Sequence, residues 1–143
     1  MTLRLHGYFR SSCSWRVRIA LAYKGVEAES VSVHLVRDGG QQHGEPHRAR
    51  NPMAQVPVLE VDGEPVGQSM AILEYLEEAY PSPSLLPGTA LQRAHSRQIA
   101  ECINAGVQPL QNLAVMQRLQ REHGWSKQEA VAWSRSWIAD GLR

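Results

Sequence analysis

Cysteine is nearly absent. The 143-residue chain holds two, Cys13 and Cys102, and no C-x-x-C pair. That excludes a disulfide scaffold and a thiolate zinc cluster, and it fits a reducing compartment. Charge of one sign is also missing: 15 Lys and Arg stand against 14 Asp and Glu, for a formal net charge of +1. With no long basic run, electrostatics make no case for a nucleic-acid partner. No apolar stretch approaches the ~18 residues of a membrane span, so no membrane partner is expected. The N-terminus has no basic segment followed by an apolar core, so no secretory leader is expected and the expected location is cytoplasmic. The 6 histidines are His6, His34, His43, His47, His95 and His123. His43 and His47 are spaced i,i+4, but they lie in a Gly- and Pro-containing loop without acidic partners at ligand spacing. A solvated loop, not a metal site, is the reading there.

What is present is 43% hydrophobic residues, enough for one compact domain, or for a small domain plus part of another. Leu3-Arg4-Leu5-His6-Gly7 alternates as a half-buried strand does. A helix is expected over 14–24, ended by Gly25. Val17, Ala20 and Leu21 form one apolar stripe on it, and Ile19, Ala22 and Tyr23 a second, so both sides are expected to be covered, one by a sheet and one by a helical layer. A second strand over 30–35 should run parallel to the first through a right-handed crossover. The stretch 36–51 is long, polar and rich in Gly, Gln and His. Such a connection is often functional, and Gln42 could reach a ligand, but a surface loop with a short helix fits as well.

A third strand is expected over 56–61, although Pro57 near its start removes a backbone donor. A cis Val56–Pro57 bond at the strand entrance is one resolution. Asp62-Gly63 signals a tight hairpin, with an edge strand over 64–67 that tolerates Pro65. The next helix runs over 69–80, with Ser69 a candidate cap, Ile72, Leu73 and Leu76 buried, and Glu74, Glu77 and Glu78 wet. Residues 81–89 are a proline-rich linker and 90–143 are helical. Ile99, Ile103, Val107, Leu110, Leu113 and Gln117 step by three or four residues, with Gly106 and Pro109 expected to kink or pause the helix. Ser126-Lys127-Gln128-Glu129 is a capping box. Ala130, Trp133, Trp137 and Ile138 form the stripe of the helix it starts. That stripe needs a surface to pack on.

The organising stretch is Phe9-Arg10-Ser11-Ser12-Cys13-Ser14-Trp15-Arg16-Val17-Arg18-Ile19-Ala20-Leu21, where a strand gives way to a helix. Small polar side chains cap the free N–H groups of a first turn, and that turn carries about half a positive charge. Capping alone explains the serines. An anion site explains them too, and a thiolate suits it better than a phosphate because no glycine-rich cradle is present.

This run resembles the signature of the zeta-class glutathione S-transferases, which include the maleylacetoacetate isomerases. Asp38-Gly39-Gly40-Gln41-Gln42, Asn51-Pro52-Met53-Ala54-Gln55-Val56-Pro57-Val58-Leu59, Gln68-Ser69-Met70-Ala71-Ile72-Leu73-Glu74-Tyr75-Leu76-Glu77-Glu78 and Val107-Gln108-Pro109-Leu110-Gln111-Asn112-Leu113 match the family in order. The resemblance implies an α/β thioredoxin-like domain (βαβαββα) over 1–80 that binds glutathione, then an all-α domain over 90–143. That second domain is shorter than the family's bundle and so incomplete, as in a truncated product or one that a partner completes. It implies a cis Val56–Pro57 bond that frees the Val56 backbone to pair with a peptide. It implies glutathione as cofactor, held by Ser11, Ser12, Cys13, Ser14, Trp15, Arg16, Gln42, Val56, Gln68, Ser69, Gln108 and Asn112. Gln108 and Asn112 are expected on one face of one helix.

The activity implied is glutathione-dependent cis–trans isomerisation of maleylacetoacetate, in tyrosine and phenylalanine catabolism, by a homodimer. A thiolate must be kept near neutral pH, where a free thiol has a pKa of about 8.5. Ser11 is the first candidate donor to it, then Ser12, then Cys13; Tyr8, also near, fits the zeta pattern less well. Cys13 could instead be a nucleophile of its own, as in omega-type relatives. Arg10 is the candidate fork for a carboxylate of the dianionic maleyl substrate. Three readings stay open: maleylacetoacetate isomerase; maleylpyruvate isomerase or a transferase acting on small electrophiles such as α-haloacids; and a non-catalytic glutathione-binding module.

Overall fold

Alternation in the first strand decides what lies on each side of the sheet. In a computed structural model covering residues 1–143, β1 (Leu3–Gly7) turns Leu3 and Leu5 to one face and Arg4 and His6 to the other. The strand order is β2-β1-β3-β4, with β2 (Glu29–Ser32) parallel to β1, β3 (Val58–Val61) antiparallel to β1, and β4 (Glu64–Gly67) antiparallel to β3. The element order β1-α1-β2-α2-β3-β4-α3 is the one expected of a thioredoxin-like domain, with α1 at Ser12–Lys24, α2 at Glu45–Arg48 and α3 at Ser69–Ala79. Two compact units are present, Met1–Leu85 and Leu86–Arg143.

The core of the first unit lies on one face of the sheet. Leu3, Leu5 and Leu59 meet Val17, Ala20 and Leu21 of α1 and Ile72 and Leu76 of α3. The second stripe of α1 does not behave as expected within the first unit: Ile19 and Tyr23 are 61% and 57% exposed. On the other face the register sets Arg4 opposite Glu29 on one side and Glu60 on the other. Arg4 pairs with Glu29 at 2.7 Å, and Glu60 pairs with Arg50 at 2.9 Å and lies 3.4 Å from both Arg4 and the buried His6. The second strand is shorter than expected. After Ser32 one further bond, from the Val33 N–H to the Gly7 carbonyl, closes the pairing. The third starts at Val58 because the cis Pro57 before it has no N–H to give. Asp62 and Gly63, both at positive φ, turn β3 into β4.

Lys24, the last residue of α1, has a side chain fully out of solvent. A buried ammonium must spend all three donors. Lys24 does so, on Glu77 Oε2 at 2.7 Å, the Tyr80 carbonyl at 2.6 Å and the Pro83 carbonyl at 3.0 Å. Glu77 also accepts from the Leu85 N–H at 2.8 Å and from the Ser84 hydroxyl. The glutamate expected on the wet face of α3 is therefore the partner that ties α1, α3 and the 80–85 segment together.

The second unit contains α4 (Ala90–Glu101), a π-helical segment (Cys102–Val107), α5 (Leu113–His123) and α6 (Lys127–Gly141). The break expected at Gly106 and Pro109 is present. Capping boxes start α4 at Thr89 with Gln92 and α6 at Ser126 with Glu129. Trp125, Trp133 and Trp137 stack edge to face at 5.8 and 5.6 Å, and the Trp133 indole donates to the Leu110 carbonyl at 2.8 Å. Of the expected α6 stripe, Ala130 is fully buried, Trp133 and Trp137 are half-buried, and Ile138 is exposed.

Replacing Lys24 by Met should lower stability by about 3 kcal/mol, because Glu77 and two carbonyls lose a buried donor; urea unfolding followed by circular dichroism measures it. Acid should act in two stages. Burial, then the nearby Arg50, hold His6 below its ordinary 6.5. Burial alone would raise Glu77, but hydrogen bonds from Lys24, Ser84 and Leu85 bring it down to about 2. Both groups bind fewer protons folded than unfolded, so the stability they contribute is lost as pH falls. The loss begins below 6.5 for His6 and below 4.5 for Glu77. His6→Gln should remove the first stage from a plot of urea midpoint against pH and leave the second.

Candidate functional site

One end of the sheet gathers most of the expected residues. His6 pairs with Val58, and Val58 with Gly67, so the end of β1, the entrance to β3 and the exit of β4 lie side by side. From that edge α1 opens after β1 and α3 opens after β4, while the cis Val56–Pro57 turn leads into β3. Neither helix carries an acidic residue in its first turn. Two positive helix ends thus open at one edge with no side-chain carboxylate to neutralise them.

At the first of these, Ser11 is the cap of α1, with extended backbone and an Oγ that accepts the Ser14 N–H at 3.2 Å. Accepting uses a lone pair, so its O–H remains a donor. Ser12 is exposed, and Cys13 and Arg16 are half-buried. Cys13 is in no disulfide. Ser14 is fully buried and its Oγ accepts the Tyr8 N–H at 3.2 Å, which makes it a support of the β1–α1 turn. Trp15 is exposed, but its indole N–H is spent on the Phe9 carbonyl at 2.8 Å and its ring carries the Arg18 guanidinium at 3.9 Å. Arg10 is exposed in the loop before the cap. Tyr8 is buried, with its ring edge-on to Phe9 and His34.

Gln42 is a second residue turned inward. It is buried, and its amide nitrogen donates to the Leu35 carbonyl at 3.2 Å and lies 3.1 Å from His43. Its Oε1 is buried without a partner. Its side chain serves its own loop, in which Gly40, at φ 100, leaves it room: a Cβ there would come within 2.6 Å of the amide nitrogen. Val56 is half-buried, and no sheet partner takes its N–H or C=O. Gln68 is exposed, at φ 64, and its Nε2 donates to Gln55 Oε1 at 3.2 Å. Ser69 is buried as the first helical residue, so the capping position belongs to Gln68, which makes no side-chain cap bond.

Gln108 and Asn112 belong to the second unit, and they do not share one helix. Gln108 follows the π-helical segment, whereas Asn112 has extended backbone and caps α5 through a bond from the Ala114 N–H at 3.0 Å. The turn between them breaks the i,i+4 face.

Sequence reasoning missed three residues that brace this edge, His47, Asn51 and Gln55. Besides the family resemblance of the 51–59 run, their signal was the Asn51-Pro52 pair, a turn former whose amide oxygen accepts the Met53 N–H at 3.1 Å.

Residues 1–78 match the family described as Glutathione S-transferase, N-terminal domain. The chain belongs to that family. Among relatives of this transferase-family chain, the maleylacetoacetate isomerase of Rattus norvegicus is 50% identical over 138 residues, covering 96% of this chain and 61% of the relative. A holo structure of a bacterial zeta-class maleyl pyruvate isomerase superposes with a TM-score of 0.92 at 36% identity, covering 96% of this chain and 64% of the other. A maleylacetoacetate isomerase from Methylobacterium extorquens, solved with malonate and glutathione bound, gives a TM-score of 0.91 at 36% identity, covering 97% and 64%. The chain thus spans under two thirds of the length of these relatives.

Ser14→Ala should cost about 1–3 kcal/mol, the penalty of a buried Tyr8 N–H left without its acceptor. Chemical denaturation measures this directly. A cost near zero would remove Ser14 from the turn's support.

Proposed function

We propose that the sheet edge formed by Ser11–Arg16, Val56 and Gln68-Ser69 binds glutathione, and that the protein is a glutathione-dependent cis–trans isomerase of maleylacetoacetate. The single observation that carries this is the pairing of two unneutralised helix N-termini with the unengaged Val56 backbone at one edge. An anionic peptide needs both. The α3 terminus at Gln68-Ser69 receives the γ-glutamyl carboxylate. The Val56 N–H and C=O pair with the cysteinyl backbone as a strand edge would. The Ser11 hydroxyl donates toward the sulfur, and the positive end of α1 lowers the thiol pKa.

Glutathione supplies a nucleophilic sulfur that adds reversibly to an activated double bond, so that rotation can occur before the sulfur leaves. Arg10 offers a forked cation for one substrate carboxylate. Ser12 and Cys13 are second and third candidates for the thiolate donor. The malonate beside glutathione in the Methylobacterium extorquens enzyme supports a dicarboxylate substrate. The similarity to a maleyl pyruvate isomerase favours maleylpyruvate as the second reading. We propose a homodimer on grounds of family resemblance, a cytoplasmic location that fits the scarcity of cysteine, and domain limits of 1–80 and 90–143 set by the proline-rich linker. No helix is long and apolar enough to cross a membrane.

The test is isomerisation of maleylacetoacetate by the purified chain, with and without glutathione, alongside calorimetric titration with glutathione alone. Glutathione-dependent turnover is expected. Binding without turnover would leave a glutathione-binding module, and no binding would overturn the assignment. Ser11→Ala should raise the pKa of the bound thiol, read from thiolate absorbance; an unchanged titration moves that role to Ser12 or Cys13.

A further inference from the structure

The peptide unit between Gln55 and Val56 is held from behind. The Gln55 carbonyl receives two hydrogen bonds, from Asn51 Nδ2 at 3.0 Å and from His47 Nε2 at 2.9 Å. Both donors are buried, at 4% exposure for His47 and 7% for Asn51. A carbonyl only accepts, so His47 carries its proton on Nε2. In the neutral ring Nδ1 is then a lone pair, buried without a partner. A lone pair in that state costs stability, and the bond to Gln55 is what the imidazole obtains in return.

Asn51 is used at both ends of its amide, the oxygen on the Met53 N–H and the nitrogen on Gln55, so the turn between them is closed from inside. Arg50, next to Asn51, bonds Glu60 of β3 at 2.9 Å, which ties this bracket to the sheet. A peptide unit is planar, so fixing the direction of the Gln55 C=O fixes the opposed direction of the Val56 N–H. The Gln55 side chain points elsewhere, and its Oε1 accepts from Gln68 Nε2 at 3.2 Å.

We propose that His47, Asn51 and Gln55 are positioning residues of the glutathione site: the first two aim the Val56 backbone, and the Gln55 side chain orients Gln68. This rests on the glutathione reading above. One residue thereby couples two parts of the ligand. Its main chain governs the pairing that places the cysteinyl sulfur over Ser11, and its side chain governs the group that meets the γ-glutamyl end. Holding both in the free protein removes an ordering cost from binding.

The experiment titrates glutathone-free wild-type chain, Asn51→Asp and Gln55→Met with glutathione by calorimetry, and follows thiolate absorbance against pH at saturating glutathione. Asn51→Asp keeps the acceptor for Met53 and removes the donor to Gln55. It should weaken binding about tenfold and raise the pKa of the bound thiol, because the peptide is displaced. Gln55→Met changes an exposed side chain. It should weaken binding about fivefold and leave that pKa unchanged, because only the γ-glutamyl end is loosened. A merely structural role would not produce this split. Either variant binding as wild type does, with an unchanged melting temperature, overturns the proposal. If Asn51→Asp fails to fold, Gln55→Met decides alone. A wild-type chain that does not bind glutathione overturns the functional reading itself, and this proposal with it, before any variant is compared.

Discussion

Burying an ammonium is the constraint on which the first unit depends. Lys24 ends α1 with no access to water, so its three donors must all be met by protein. The acceptors come from α3, from the residue that ends it, and from the segment beyond, so the helix ends cannot drift apart without stranding a charge. Glu77 is bound by the same logic from the other side, through Lys24, Ser84 and Leu85. The apolar contacts among Val17, Leu21, Ile72 and Leu76 provide the bulk of the burial. Dispersion and hydrophobic contact are non-directional, however, and it is the ion pair with its carbonyls that selects one relative placement of α1 and α3.

Much of this was legible in the chain because local signals and tertiary needs agree. Leu3 and Leu5 alternate with Arg4 and His6, and the sheet faces follow. Gly25 ends α1 and Asp62-Gly63 turns a hairpin, because each needs positive φ and each has it. Pro57 opposed a strand start and the strand begins one residue later. What was not legible depends on partners distant in the chain. Nothing in the spacing of Glu74, Glu77 and Glu78 separates the one that meets Lys24 from the two that do not. The stripe of Ile19 and Tyr23 has the period of a covered face and yet is exposed within the first unit.

The site divides in the same way. The serine run and the two helix starts could be read from sequence, since capping chemistry is local. Which serine faces outward could not. Ser11 and Ser14 are three residues apart and bonded to each other, but one caps the helix and the other is sealed under Tyr8. Gln42 differs again: its loop folds back and takes the amide nitrogen, while Oε1 stays buried without a partner. His47, Asn51 and Gln55 act through backbone atoms, which leave little trace in residue type.

The charged face of the sheet also bears on how the strands find each other. Glu60 and Leu59 are neighbours on β3, one among Arg4, Arg50 and His6, the other in the apolar core. A slip of one residue between β1 and β3 would exchange them, driving a carboxylate into the leucine layer and a leucine among the cations. Misaligned pairings are thus penalised twice. The ion cluster and the leucine layer together therefore specify a single register for β1 and β3.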